Sequence, residues 1–219
     1  MAGKRIGVLL SGCGVYDGAE IHEAVLTLFF LDRAGAQAVC MAPDILQHHV
    51  LNHMTGAEMA ETRNVLVEAS RISRGDIRNL TEVKAETLDG LILPGGFGAA
   101  KNLSTVAFDG PNARVNPDVA ALVKKIHAAR KPVGAMCISP AVLARIFASH
   151  GITLTIGDDS GTAQAIEAMG NRHRTTTVDE IVVDQANKVV TTAAYMCQAT
   201  IGAVGIGIEK LVNKVLELA

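Results

Sequence analysis

The chain of 219 residues has no tryptophan, and its two tyrosines and five phenylalanines leave aromatics at 3%. Its core must therefore be built from Val, Ile, Leu, Ala and Met, and it carries no aromatic ladder on which bases would stack. There is also no basic block: 20 Lys and Arg stand against 22 Asp and Glu, a net charge of −2. That balance argues against nucleic acid or an anionic membrane surface as a partner. No apolar run is long enough to span a bilayer. Only six prolines occur, and no Pro/Gly/Ser-rich linker divides the chain, so one domain over residues 1–219 is expected. The four cysteines, Cys13, Cys40, Cys137 and Cys197, are widely separated and show neither disulfide-framework nor zinc-ligand spacing. Met1-Ala2-Gly3-Lys4-Arg5 enters a strand-like segment with no signal-peptide pattern before it, and a cytoplasmic chain is expected.

What is present is a compact composition, 49% hydrophobic, in which β-branched runs alternate with helical patterns. Strands are expected at Arg5–Ser11, Gln37–Ala42, Leu88–Leu93, Lys131–Met136 and Lys188–Thr192, with shorter ones at Asp76–Leu80, Thr153–Ile156, Arg174–Val178 and Ile181–Val183. Helices are expected at Ala19–Ala34, with Ile21, Val25, Leu28 and Phe29 on its apolar face, and at Glu58–Ser70, Asp118–Ala129, Ala141–Ser149, Gly161–Met169 and Cys197–Leu218. In the last helix, Gly202, Gly205 and Gly207 would allow close packing. The alternation implies an α/β fold: a mostly parallel sheet with helices on both faces and its site at the carboxyl ends of the strands.

Three loops follow apolar strands and should share that edge. Lys131 to Met136 runs into Cys137-Ile138-Ser139, with small residues two places either side of the cysteine and a helix at once behind it. A strand, sharp turn and helix presenting a reactive side chain reads this way, and a cysteine at a helix N-terminus is favoured as thiolate. A buried core cysteine fits the same pattern. Gly12–Gly18 has G-x-G-x-x-x-G spacing, one residue longer than a dinucleotide fingerprint, and a turn needing positive φ explains it better. Glu20 begins the next helix, either as a first-turn acid complementing the dipole or as a general base over the strand edge. Pro94-Gly95-Gly96-Phe97-Gly98 lacks the Gly-Lys-Ser/Thr of a phosphate loop, but its glycines expose N–H groups able to hold an oxyanion. His49 and His53 have i, i+4 spacing without a zincin glutamate, so surface histidines are favoured over a metal. His150 and His173 follow Cys137 at unsuitable places for a base. Cys13, His22, Glu23 and Asn102 lie near the loops and are weaker site-lining candidates.

The segments Gly12 to Val25, Asn52 to Gly56, Glu61 to Leu66, Leu93 to Ser104, Met136-Cys137-Ile138 and Val190 to Met196 together resemble the ElbB-type glyoxalases, also called enhancing-lycopene-biosynthesis or sigma cross-reacting proteins. These resemble in turn the wider class I glutamine amidotransferase-like group that includes the PfpI proteases and the Parkinsonism-associated deglycase. The resemblance implies a flavodoxin-like three-layer sandwich, a nucleophile elbow at Cys137, Glu20 as the acid that contacts it, an oxyanion site from the N–H groups of Gly95, Gly96 and Ile138, and a homodimer; no cofactor or metal is expected. It also implies that the amidotransferase triad histidine is missing here. The function expected on this basis is glutathione-independent conversion of glyoxal or methylglyoxal, small dicarbonyl substrates, to glycolate or lactate. The alternatives are a redox-sensing or regulatory protein linked to isoprenoid biosynthesis, in which Cys13 resolves an oxidised Cys137, and a weak cysteine amidohydrolase.

Overall fold

The computed structural model describes residues 3–219; Met1 and Ala2, named above at the start of the chain, lie outside it. Among the described residues, nine strands and eight α-helices follow one another in the expected alternating order. The first half contains β1 (Arg5–Leu9), α1 (Ile21–Arg33), β2 (Gln37–Ala42), α2 (Val65–Ile72), β3 (Arg78–Asn79), β4 (Gly90–Leu93), α3 (Phe97–Lys101), α4 (Val106–Asp109) and α5 (Pro117–Ala128). The second contains β5 (Val133–Met136), α6 (Ser139–Ile146), β6 (Thr153–Leu154), α7 (Ser160–Ala168), β7 (Arg172–His173), β8 (Ile181–Asp184), β9 (Val189–Thr192) and α8 (Ile201–Leu218). Seven strands form one sheet in the order β3-β2-β1-β4-β5-β9-β8, parallel except for β8 against β9, while β6 and β7 make a separate parallel pair. This is the flavodoxin-like α/β sandwich expected.

Strand alternation builds the two layers. Ile6, Val8 and Leu10 point to the side covered by α1 and α8, where Ala24, Phe30, Leu31, Val204, Ile208 and Leu211 meet them. Leu9, Leu91 and Leu93 point to the other side, against α5 and α6. Chain order reverses between β1 and β4, because successive units wind outward in opposite directions from there. A crevice at the carboxyl ends of the strands opens at such a reversal. The loops after β1, β4 and β5 therefore converge.

Several expectations are corrected. The stripe Ile21, Val25 and Phe29 of α1 is about half exposed, and the face that packs on the sheet is Glu23, Ala24, Thr27, Phe30 and Leu31. Both faces carry apolar residues, so periodicity alone does not choose between them. Residues 58–64 are not helical: the chain folds back on itself through the Leu46–Asn64 and Leu51–Glu58 bridges, and Asn64 then caps α2. No strand forms at Arg174–Val178, where Thr176 bonds Thr155 side chain to side chain and Thr177 N–H donates to Glu180; the pairing lies just before it, at Arg172–His173. In α8 only Gly207 meets a close neighbour, the Val178 carbonyl; the positions a Cβ would take at Gly202 and Gly205 are almost open.

Candidate active site

Cys137 follows β5 and starts the turn into α6 with φ of 58°, left-handed backbone that costs a non-glycine residue about 1–3 kcal/mol. Neighbours on all sides hold it there. Its N–H donates to the Thr192 carbonyl at the end of β9 (3.1 Å). Two residues on, the Ser139 hydroxyl donates to the Pro94 carbonyl (2.7 Å), tying α6 to the turn after β4. Gly95 lies so close that a Cβ there would collide with Cys137 Cβ and stand 3.0 Å from its sulfur. Gly96 has φ of 90° and backs onto the Glu20 amide. These contacts explain why consecutive glycines follow β4.

The side chain of Cys137 is only 7% exposed. The N–H groups of Gly96 and Ile138 donate to its sulfur, and the Glu23 carboxyl is hydrogen-bonded to it. Glu23 is fully buried. Its Oε2 accepts the Gly95 N–H (2.8 Å) and its Oε1 the Tyr195 N–H (3.4 Å). Burial, then the charge of Glu20, pushes the Glu23 carboxyl up to about 8. Burial, then the charge of Glu23, pushes the Cys137 thiol up as well, outweighing the expected dipole-favoured thiolate. Ionised together the two repel, so the pair holds at least one proton near neutral pH. With that proton on Glu23 the repulsion of a thiolate vanishes, and two N–H groups remain to hold the sulfur's charge.

The expected contact of Glu20 with the cysteine is corrected by this geometry. Glu20 is the N-cap of α1, and its Oε2 accepts the Glu23 N–H (2.7 Å). One helical turn separates the two acids; the N-cap is turned toward the helix end, whereas the third residue of the helix faces the sheet. The oxyanion set changes too. Gly96 and Ile138 offer their N–H groups to the sulfur, but that of Gly95 is taken up by Glu23. Asn102 is a staple: its amide donates to the carbonyls of Ser11 and Asp17 (both 2.9 Å), and its Oδ1 accepts the His48 N–H. Cys13 is half-buried among Glu68, Arg71, Asp17 and Arg63, none of which acts on Cys137. His22 Nδ1 meets the Tyr195 hydroxyl at 2.8 Å. His49 pairs with Lys101 and His53 accepts the Tyr16 N–H, both in loop packing. All four cysteines are free thiols, and among the described residues no group of His, Cys, Asp and Glu is arranged to hold a metal ion.

Tyr195 is the site residue that the sequence reading missed. Its signal is positional: it lies just past the strand that neighbours β5 in the sheet, and that strand order is not written in the sequence.

A parallel sheet with a cysteine on a strained strand-to-helix turn defines a class I glutamine amidotransferase-like protein. The model of the DJ-1/PfpI family matches residues 13–200, and the chain belongs to that family. It is 46% identical to the rat ES1 protein homolog, mitochondrial, over 98% of this chain and 84% of the relative. It is also 46% identical to the human glutamine amidotransferase-like class 1 domain-containing protein 3, mitochondrial, over 98% of this chain and 83% of that one. A crystal structure of an isoprenoid biosynthesis protein with an amidotransferase-like domain from Ehrlichia chaffeensis superposes with a TM-score of 0.92 at 35% identity, covering 98% of this chain and 99% of its own. The two mitochondrial names overturn the cytoplasmic expectation. A missing leader pattern is weak ground for a compartment, since import segments are removed from mature chains and are no part of a fold.

Proposed function

We propose that the chain is a glutathione-independent glyoxalase of the ElbB type, acting on glyoxal or methylglyoxal through Cys137 and Glu23. The observation that supports this most is a buried carboxyl, raised to about 8, hydrogen-bonded to a cysteine that also receives two backbone N–H groups. An acid poised near neutral pH can both give and take a proton. Cys137 sulfur adds to the aldehyde carbon, the C=O electrons move to oxygen, and Glu23 protonates that oxygen to give a hemithioacetal. The Glu23 carboxylate then takes the proton from the same carbon, forming an enediolate whose charge the N–H groups of Gly96 and Ile138 hold. Glu23 returns the proton to the neighbouring carbon, and the hydroxyl hydrogen on the sulfur-bearing carbon passes to the neighbouring oxygen, which leaves a 2-hydroxy thioester. Water cleaves it to the hydroxy acid and the free thiol. One carbon is oxidised and its neighbour reduced, so no external oxidant or cofactor enters.

Lactate formed from methylglyoxal by purified protein, without glutathione, tests the reading. Cys137→Ala should abolish it, and Glu23→Gln should lower kcat about 10²–10⁴-fold. Glu20→Gln should lose far less. Wild-type turnover by Glu23→Gln would sink the mechanism. The burial of Cys137 and the separate surroundings of Cys13 favour this reading over a redox sensor that uses those two thiols as a pair.

The homodimer belongs to the same proposal. Ile21, Val25 and Phe29 of α1 and Ile201 and Ile206 of α8 form an apolar face, 43–50% exposed residue by residue. Between the helices lies a groove lined by Leu26, Phe29, Arg33, Gly202 and Ile206. Phe29 is a protruding ring, and the bare backbone at Gly202 and Gly205 is a recess on the same face. A twofold axis can seat each copy's ring in the other's recess.

A further inference from the structure

We propose that Tyr195, clamped by His22, is a positioning residue that keeps Glu23 closed from water and so holds its proton beside Cys137. The inference rests on reading Cys137 and Glu23 as the reacting pair.

It starts from the sheet. β9 lies directly beside β5, in register from Val133 with Val189 to Met136 with Thr192. Both strands end in strained turns: Cys137 has φ of 58°, and Ala194, two residues past Thr192, has φ of 44°. Non-glycine residues stay in that region only where their surroundings over-determine them, and such residues cluster at functional sites. The turn after β9 touches both members of the pair. The Thr192 carbonyl accepts the Cys137 N–H, and the Tyr195 N–H points at Glu23 Oε1. The Tyr195 side chain turns back onto α1, where its hydroxyl bonds Nδ1 of His22, the residue before Glu23. Tyr195 thus brackets Glu23 with a backbone contact on its carboxyl and a side-chain contact one residue away.

The titratable groups that face Glu23 are Glu20 from the start of α1, Cys137 from the turn after β5, and Tyr195 from the turn after β9. Tyr195 brings a bulky ring and a phenol that stays neutral. Its ring helps to exclude the water that would otherwise let the carboxyl ionise, and burial is the largest cause of the raised Glu23 pKa. Once ionised, Glu23 opposes a thiolate next to it. Opening this side therefore lets Glu23 give up its proton at lower pH.

The test is the urea midpoint from pH 5 to 9, measured for each variant with Glu23 and again with Glu23→Gln, so that the difference between the two series isolates the Glu23 proton. With Tyr195 in place that difference keeps changing up to pH about 8. Tyr195→Ala should lower the end of that change by about one pH unit, and Tyr195→Phe and His22→Ala, which break the clamp and keep the ring or the backbone contact, by less. An unchanged end point in all three variants overturns the proposal. A Tyr195→Ala effect of the same size on the Glu23→Gln background also overturns it, because Tyr195 would then act through packing alone. The readout needs no dicarbonyl turnover, so loss of the glyoxalase reading would leave this result standing, and the reverse.

Discussion

At the scale of single residues the site is a matter of a few ångströms and one proton. Gly95 shows the steric side. A methyl group there would collide with Cys137 Cβ and lie 2.8 Å from Glu23 Oε2, and neither neighbour has room to withdraw. Gly95→Ala should destabilise the protein by about 1–3 kcal/mol, read as a lower urea midpoint, and should remove the proposed dicarbonyl turnover. Glu23 shows the electrostatic side. Its carboxyl ordinarily titrates near 4.5 and is raised to about 8 in the fold. Between those values the folded chain keeps a proton that the unfolded chain releases, so this group's contribution to stability falls as pH rises through that window. Glu23→Gln removes that dependence. Relative to wild type, its urea midpoint should rise steadily from pH 5 to pH 8; parallel curves for the two proteins would contradict the buried, protonated carboxyl. The identity of the acid was only half legible. Glu20 and Glu23 both stand at the head of a helix, and the choice depends on which face of α1 meets the sheet.

At the scale of elements, the loops between strands and helices do the assembling. Asn102, just past α3, joins the loop after β1 to the segment after β2 through three hydrogen bonds. Asn102→Ala leaves the Ser11 and Asp17 carbonyls without that partner. It should cost about 1–3 kcal/mol and speed amide exchange in residues 12–18, measured by hydrogen–deuterium exchange; exchange as slow as in wild type would remove its role as a staple. The regular elements that were read within a residue or two, β2, β9, α5 and α7, have sharp boundaries in the chain itself. β2 is closed by Pro43, and α5 opens on the Asn116 cap with Pro117 as its first residue. Residues 58–64 and 174–178 were misread because local propensity there yields to tertiary partners: backbone bridges in one case, threonine side-chain bonds in the other.

At the scale of the whole molecule, the exposed stripe on α1 matters more than the buried one for what the chain does next. Its residues pass for a core face in sequence, and within one copy they stay about half exposed, with the Arg33 guanidinium over the Phe29 ring. If that face pairs two copies, Phe29→Glu places two charges in a closed apolar contact. The variant should then run as a monomer by size-exclusion chromatography with light scattering, with an unchanged circular dichroism spectrum. A wild-type protein that is itself monomeric would dispose of the proposed homodimer.

What the sequence by itself determined is the alternating order of strands and helices, the parallel sheet, and the glycine turns that follow its strands. These follow from local steric and periodic rules that each segment obeys on its own. Only the tertiary structure decided which acid reaches the sulfur, which N–H groups face it, and that Tyr195 joins them. Those depend on strand order and helix rotation, which arise from the joint packing of distant segments. β5 and β9 become neighbours though some fifty residues separate them, and α1 turns Glu23 inward because Ala24, Phe30 and Leu31 bury there together.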